Sequence, residues 1–74
     1  MTTEERNKIN YAVVCVNEFA KRHSLNPREA FYYLDRFQGI RFLKEHYEIE
    51  HTLSIEDAVD DLTLLCSRNG GALA

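Results

Sequence analysis

The sharpest local signal in the sequence is the helix start at Asn26-Pro27-Arg28-Glu29. Asparagine is a favoured N-cap residue, proline suits the first helical position, and a glutamate at the third position can bond back to the cap. Comparable start signals stand at Thr2-x-x-Glu5 and at Ser54. Three such starts in a chain of 74 residues leave little room for strands, so the sequence predicts an all-α fold.

The spacing of apolar residues predicts a small helical bundle of three longer helices and one short helix. The first helix is expected to run from Thr2 to about His23. The second should end just before Gly39, which suits the C′ position. The third covers residues 40–47, and the fourth follows Ser54. The residues assigned to the inner faces are Ile9, Ala12, Val13, Val16, Phe19, Ala20, Ala30, Tyr33, Leu34, Phe37, Ile40, Leu43, Tyr47, Ile55, Ala58, Val59, Leu62, Leu65 and Cys66.

A connector and a tail complete the predicted domain. Residues 48–52 alternate polar and apolar side chains, but no second strand is available for pairing, so an extended connector is expected before the last helix. Asn69-Gly70-Gly71 is predicted to stop that helix. The sequence therefore predicts a single helical domain over residues 1–68 and a flexible C-terminal tail over residues 69–74.

Composition describes an ordinary soluble protein, with 45% hydrophobic and 28% charged residues. No apolar run approaches the about 20 residues that a membrane-spanning helix needs, and the N-terminus lacks the pattern of a signal peptide. Cys15 and Cys66 lie in apolar helical patterns, which favours buried free thiols in a reducing cytoplasm. A disulfide between Cys15 and Cys66 is the open alternative.

No motif for catalysis or for cofactor binding stands out. His46 and His51 have a spacing that zinc sites use, but no cysteine pair accompanies them. Cys15 lies in an apolar run, whereas a reactive thiol needs electropositive surroundings. Three glycines are too few for a glycine-rich phosphate loop. We therefore expect no enzyme activity, no metal, no cofactor and no small-molecule substrate.

Nucleic-acid binding is the alternative function that the sequence offers. The first two predicted helices, joined by a short turn, are similar to a helix-turn-helix unit, and Arg28 and Arg36 would lie on the outer face of the second helix near Tyr32. The net charge of −3 argues against this function, because such units read DNA from a basic surface.

Apolar residues outside the inner faces suggest protein–protein interaction instead. Helical wheels place five such residues away from the predicted core: Tyr11, Val14, Tyr32, Phe42 and Leu64. A domain this small has little interior for a second buried face. If the five side chains adjoin, they form an interface for a homodimer or for a partner helix. If they are scattered, they are ordinary exposed residues.

Several segments together resemble a family of short bacterial proteins known as domain of unknown function 3791. They are Val14-Cys15-Val16-Asn17-Glu18-Phe19, Ser24-Leu25-Asn26-Pro27-Arg28-Glu29-Ala30, and Tyr47-x-x-x-His51-Thr52 ahead of Val59-Asp60-Asp61. The resemblance spans roughly residues 9–66. It implies a bacterial, cytoplasmic accessory protein, the partner of a larger protein, and it brings no established activity, cofactor or catalytic residue.

The most specific part of this resemblance is the set Tyr47, His51 and Thr52 in the predicted connector. An imidazole and a hydroxyl at this point can satisfy helix-end carbonyls or connector amides. We favour that structural role, and a ligand-binding role is the alternative. The two differ in the expected effect of His51→Ala, which lowers stability in the first case and abolishes binding at unchanged stability in the second.

Overall fold

The computed structural model describes residues 2–71 and contains no strand within them. Five helices follow one another along this part of the chain: α1 (Thr3–Arg22), α2 (Pro27–Arg36), α3 (Gly39–Glu45), α4 (Tyr47–Glu50) and α5 (Ile55–Arg68). The predicted all-α fold is confirmed. The three longer helices are α1, α2 and α5, and the described residues hold two short helices where the sequence predicted one.

The three predicted helix starts are formed by the expected side chains. Thr2 Oγ1 accepts from the Glu5 amide at 3.1 Å, and Asn26 Oδ1 accepts from the Glu29 amide at 2.8 Å. The side chains of Glu5 and Glu29 in turn accept hydrogen bonds from the backbone amides of Thr2 and Asn26, which completes two capping boxes. Ser54 caps α5 in the simpler way, through Oγ alone. These local signals fix where the longer helices begin.

The end of α2 differs from the prediction. Gln38, with φ of 71°, takes the left-handed conformation typical of the C′ position, for which Gly39 was predicted. Gly39 instead opens α3 and lies against α2, where an added Cβ would stand 2.8 Å from Leu34 Cδ2. Glycine is therefore required here for close helix packing and not for backbone conformation.

The extended connector predicted over residues 48–52 is wrong. Residues 47–50 form the single turn α4, in which the amides of Glu50 and His51 donate to the carbonyls of His46 and Tyr47 at 2.8 and 3.0 Å. An extended segment would leave these backbone groups without a neighbouring strand, whereas a helical turn satisfies them internally. The same logic brings the Leu53 amide onto the Glu50 carbonyl at 3.0 Å.

The core lies where α1 packs against α2, α3 and α5. Its large, fully buried side chains are Phe19, Leu34, Leu43, Leu62, Val59, Cys15 and Cys66. Cys15 and Cys66 are free thiols, so the disulfide alternative is not realised. The predicted inner face of α1 needs correction, because Ile9 and Val13 are 48% and 53% exposed. The buried arc of α1 is rotated toward Cys15 and Phe19, since α5 covers that side.

The described part of the C-terminal segment contacts the fold. Asn69 Nδ2 donates to the Phe37 carbonyl at 2.8 Å, and the Gly71 amide donates to the Cys66 carbonyl at 2.8 Å. The rest of the predicted tail, residues 72–74, lies outside the described residues, as does residue 1. Within residues 2–71, no helix is long and apolar enough to cross a membrane.

Candidate functional site

An open groove of about 730 Å³ lies between α1, α2 and α3, and we call it the α1–α2–α3 groove. It is lined by Glu5, Lys8, Ile9, Ala12, Val13, Val16, Asn17, Pro27, Phe31, Asp35, Ile40 and Lys44. Val16 and Ile40 form its buried floor. Ile9, Val13 and Phe31 stand at its sides, and each exposes about half of its surface. The groove is thus an apolar surface open to solvent.

Helix geometry explains how the groove is built. On α1, Ile9 and Val13 lie in one row at four-residue spacing, and Phe31 lies in a corresponding row on α2. Residues four apart share one side of a helix, so each row forms a continuous wall. The sequence identified the apolar row of α1 but assigned it to the core. The sequence does carry one sign of the groove. The apolar arc of α1 is wider than the neighbouring helices cover.

The rim of the groove carries both signs of charge. Glu5 and Lys8 come from α1, Asp35 from α2 and Lys44 from α3. Lys8 Nζ also lies 3.5 Å from Glu4 Oε1 on the solvent side. Two acidic and two basic side chains therefore surround an apolar floor.

A second, opposite arrangement is found where α1, α4 and α5 meet. Glu50 is only 4% exposed, and neither its Oε1 nor the buried Tyr11 hydroxyl has a hydrogen-bond partner. Burial, together with hydrogen bonding to Asp61 and its like charge, raises the pKa of Glu50 to about 7. Burial also raises the pKa of Tyr11 and of the Cys15 thiol. We call Tyr11, Cys15, Glu50 and Asp61 the buried polar cluster.

The thiols are poorly suited to nucleophilic chemistry. Burial raises the pKa of Cys66 to about 11 and shifts that of Cys15 in the same direction. Both side chains are fully buried, so they are protonated and out of reach of a substrate. Within residues 2–71, no three His, Cys, Asp or Glu side chains come together as metal ligands.

Tyr47, His51 and Thr52 lie together at α4. His51 Nδ1–H donates to the Tyr47 carbonyl at 2.6 Å, and Thr52 Oγ1 donates to the Ile49 carbonyl at 2.6 Å. The His51 ring stacks on the Tyr47 ring, with the ring centroids 4.5 Å apart. The Tyr11 ring contacts the Tyr47 ring edge-on, with the centroids 5.5 Å apart. These are the bonds to helix carbonyls that a structural role requires, and the choice between the two roles stays a prediction.

The five residues predicted to form an interface have different surroundings. Val14, Tyr32 and Leu64 are exposed, whereas Tyr11 and Phe42 are half-buried against the core, contrary to their positions on the helical wheels. None of the five lines the α1–α2–α3 groove. Val14 borders a smaller groove of about 550 Å³ with Ile55 and Val59, between α1 and α5. Their joint interface stays a prediction.

The helix-turn-helix alternative also stays a prediction. Arg28 is exposed at the start of α2, but the Arg36 guanidinium lies 5.4 Å from the Phe37 ring centroid. The C-terminal part of the same helix contributes Asp35 to the groove rim, so α2 is not uniformly basic.

The family is established by sequence comparison. Residues 10–69 match the model of the family described as "Protein of unknown function (DUF3791)". This match spans most of the chain, including α2 to α5 and more than half of α1. Neither the comparison with curated proteins nor that with solved structures found a match. The chain belongs to the DUF3791 family.

Proposed function

We propose that this member of the DUF3791 family is a small protein-interaction module that forms a homodimer through its α1–α2–α3 groove. The observation that carries the proposal is the exposure of Ile9, Val13 and Phe31 around one apolar floor. Contiguous apolar surface on a small soluble domain marks an interaction site. Covering it with protein removes that surface from water, which is the main favourable term in association.

Charge on the rim supports a second copy as the occupant. A two-fold axis places the same patch of both protomers face to face, so the patch must complement itself. Glu5 and Asp35 can then meet Lys8 and Lys44 of the other protomer. A rim of one sign would repel its own copy, whereas this rim has equal numbers of both signs.

The dimensions are compatible with such a dimer. A stable interface buries about 800 Å² on each partner, which is roughly one sixth of the 5048 Å² surface of this chain. The groove face of α1 extends from Glu5 to Asn17, about 18 Å at the rise of an α-helix. This is half of the 36 Å long axis of the molecule.

Two further parts of the proposal concern setting and chemistry. The buried free thiols of Cys15 and Cys66 support a reducing, cytoplasmic environment. Their raised pKa values, caused by burial, support a role without thiol catalysis. The resemblance described above supports a bacterial accessory protein whose dimer serves a larger partner.

Two neighbouring valines on α1 give a matched test. Val13 lines the groove and Val14 does not, yet they are similarly exposed, at 53% and 45%. We expect the wild-type protein to be a dimer in sedimentation equilibrium. Val13→Glu should be a monomer with unchanged helical circular dichroism, because it places an unpaired charge in the interface. Val14→Glu should remain a dimer.

Each other outcome has a defined meaning. A wild-type protein that stays monomeric up to millimolar concentration would overturn the homodimer. Dissociation by Val14→Glu alone would move the interface to the residues predicted from the helical wheels. Retention of the dimer by both variants would exclude both surfaces.

A further inference from the structure

No member of the buried polar cluster lines the α1–α2–α3 groove, so the cluster has no part in the proposed dimer. Glu50 ends the one-turn helix α4, and its side chain turns inward with only 4% of its surface exposed. It is the only acidic or basic side chain that is buried within residues 2–71. A buried carboxyl with an unpartnered oxygen demands a physical explanation.

The groups that face Glu50 provide no positive charge. α1 contributes the phenol of Tyr11 and the thiol of Cys15, and α5 contributes the carboxyl of Asp61. On its own segment, His51 is turned to the Tyr47 carbonyl. Lys8 Nζ lies 6.0 Å from the Tyr47 ring centroid and pairs with Glu4 rather than with Glu50.

An ionised Glu50 is therefore unfavourable in the closed structure. A buried charge without an opposite partner is costly, and the neighbouring carboxyl adds repulsion. In an open turn, the same side chain would be hydrated and would ionise in its usual range, near 4.3. The closed turn thus binds a proton that the open turn releases to solvent.

We propose that the buried Glu50 carboxyl is protonated where it faces Asp61, that this proton keeps α4 closed against α1 and α5, and that its loss releases the α4 turn. The turn is suited to independent movement because it has four residues and is held by the few backbone bonds around His46 and Tyr47. Its release uncovers Tyr11 and Cys15 and frees the exposed Ile49. The protein thereby gains a second apolar surface as pH rises toward neutrality.

Amide hydrogen exchange followed by NMR tests this proton-dependent closure of α4, which we call the latch. Protection factors, corrected for the intrinsic effect of pH, are compared between about pH 5 and pH 8. The amides of Glu50, His51 and Leu53 report on the α4 turn, and that of Phe37, bonded to Tyr33, reports on α2. We expect protection of the α4 amides to fall on the order of a hundredfold between pH 5 and pH 8, with most of the fall below about pH 7. Protection in α2 should change much less.

Three variants identify the group that titrates. Glu50→Gln keeps the shape of the side chain without its charge and should make α4 protection independent of pH. Asp61→Asn removes the like charge and should move the transition to lower pH. His51→Gln should leave the transition in place. Val13→Glu should leave it unchanged as well, because the latch does not depend on the groove.

Two results would overturn the latch. Persistence of the pH dependence in Glu50→Gln would assign it to another group. An equal loss of protection in α2 and α4 would mean that the charge destabilises the whole fold and does not release one turn.

Discussion

The two sides of α1 break the usual pattern of burial in opposite ways. On the groove side, apolar Ile9 and Val13 face solvent, and on the α4 side, the carboxyl of Glu50 is buried. Both arrangements cost free energy in the isolated, fully ionised chain. The costs have different remedies, because apolar surface is covered by another molecule whereas a buried carboxyl is neutralised by a proton. One helix can therefore support two responses, one to a partner and one to pH.

The largest expected effect concerns the cost of charge in the buried polar cluster. The pKa of Glu50 is raised to about 7 in the folded protein, chiefly by burial, and is near 4.3 in an unfolded chain. Between these values the folded state binds more protons, so its stability falls as pH rises and levels off above about 7. Relative to wild type, Glu50→Gln should raise the free energy of unfolding by up to about 3 kcal/mol at pH 8 and hardly at all near pH 4.

Urea denaturation of both proteins at several pH values measures this difference. The difference between wild type and variant isolates Glu50, since all other groups titrate in both. Equal stability of the two proteins at pH 8 would break the comparison, because the buried carboxyl would then carry no cost.

A smaller effect is expected at Gly39, in the α2–α3 junction between the two regions. Gly39 is followed by Ile40 of the groove floor, and an added Cβ would meet the Leu34 side chain at 2.8 Å. Gly39→Ala should lower the free energy of unfolding by about 1–3 kcal/mol, the usual cost of overpacking. Gly70→Ala is the control, since a Cβ there has open space and only a φ of 98° to strain it.

Thermal and urea unfolding of the two alanine variants compare crowding with backbone strain. We expect Gly39→Ala to be the less stable variant and to weaken dimerisation, because α3 must move away from α2 at the groove floor. A variant as stable as wild type would show that α3 shifts freely.

The sequence predicts features set by neighbouring residues, such as helix caps, but not those set by residues distant in the chain. The caps at Thr2, Asn26 and Ser54 were predicted correctly because each joins a side chain to a backbone amide only three residues along the chain. Glu50 was assigned to an extended connector, because its burial depends on Tyr11 and Asp61, which are distant in sequence. A short alternating segment carries no sign of that.

The groove was missed for a related reason. A helical wheel states which residues share a face, and Ile9 and Val13 do share one with Val16. It does not state where the neighbouring helix stops covering that face. The exposure of Ile9 and Val13 follows from the placement of α2 and α3 along α1, which is a property of tertiary packing.

The smallest expected effect sharpens the description of the α4 side. His51 Nδ1–H donates to the Tyr47 carbonyl, and its ring stacks on Tyr47, which in turn contacts Tyr11 of the buried polar cluster. His51→Ala should therefore lower the free energy of unfolding by about 1 kcal/mol, the net value of such a bond. Calorimetry should register this as a fall in melting temperature.

His46→Ala serves as the control, because His46 is also exposed, follows the end of α3, and packs its ring against Phe42 at a tilt of 42° with the centroids 4.9 Å apart. If contact between the two rings alone mattered, the two variants would lose similar stability. A larger loss for His51→Ala would assign the difference to the bond that closes the α4 turn. A free energy of unfolding in His51→Ala equal to that of wild type would show that the His51 side chain is dispensable for structure. It would then favour the ligand-binding role for the set Tyr47, His51 and Thr52.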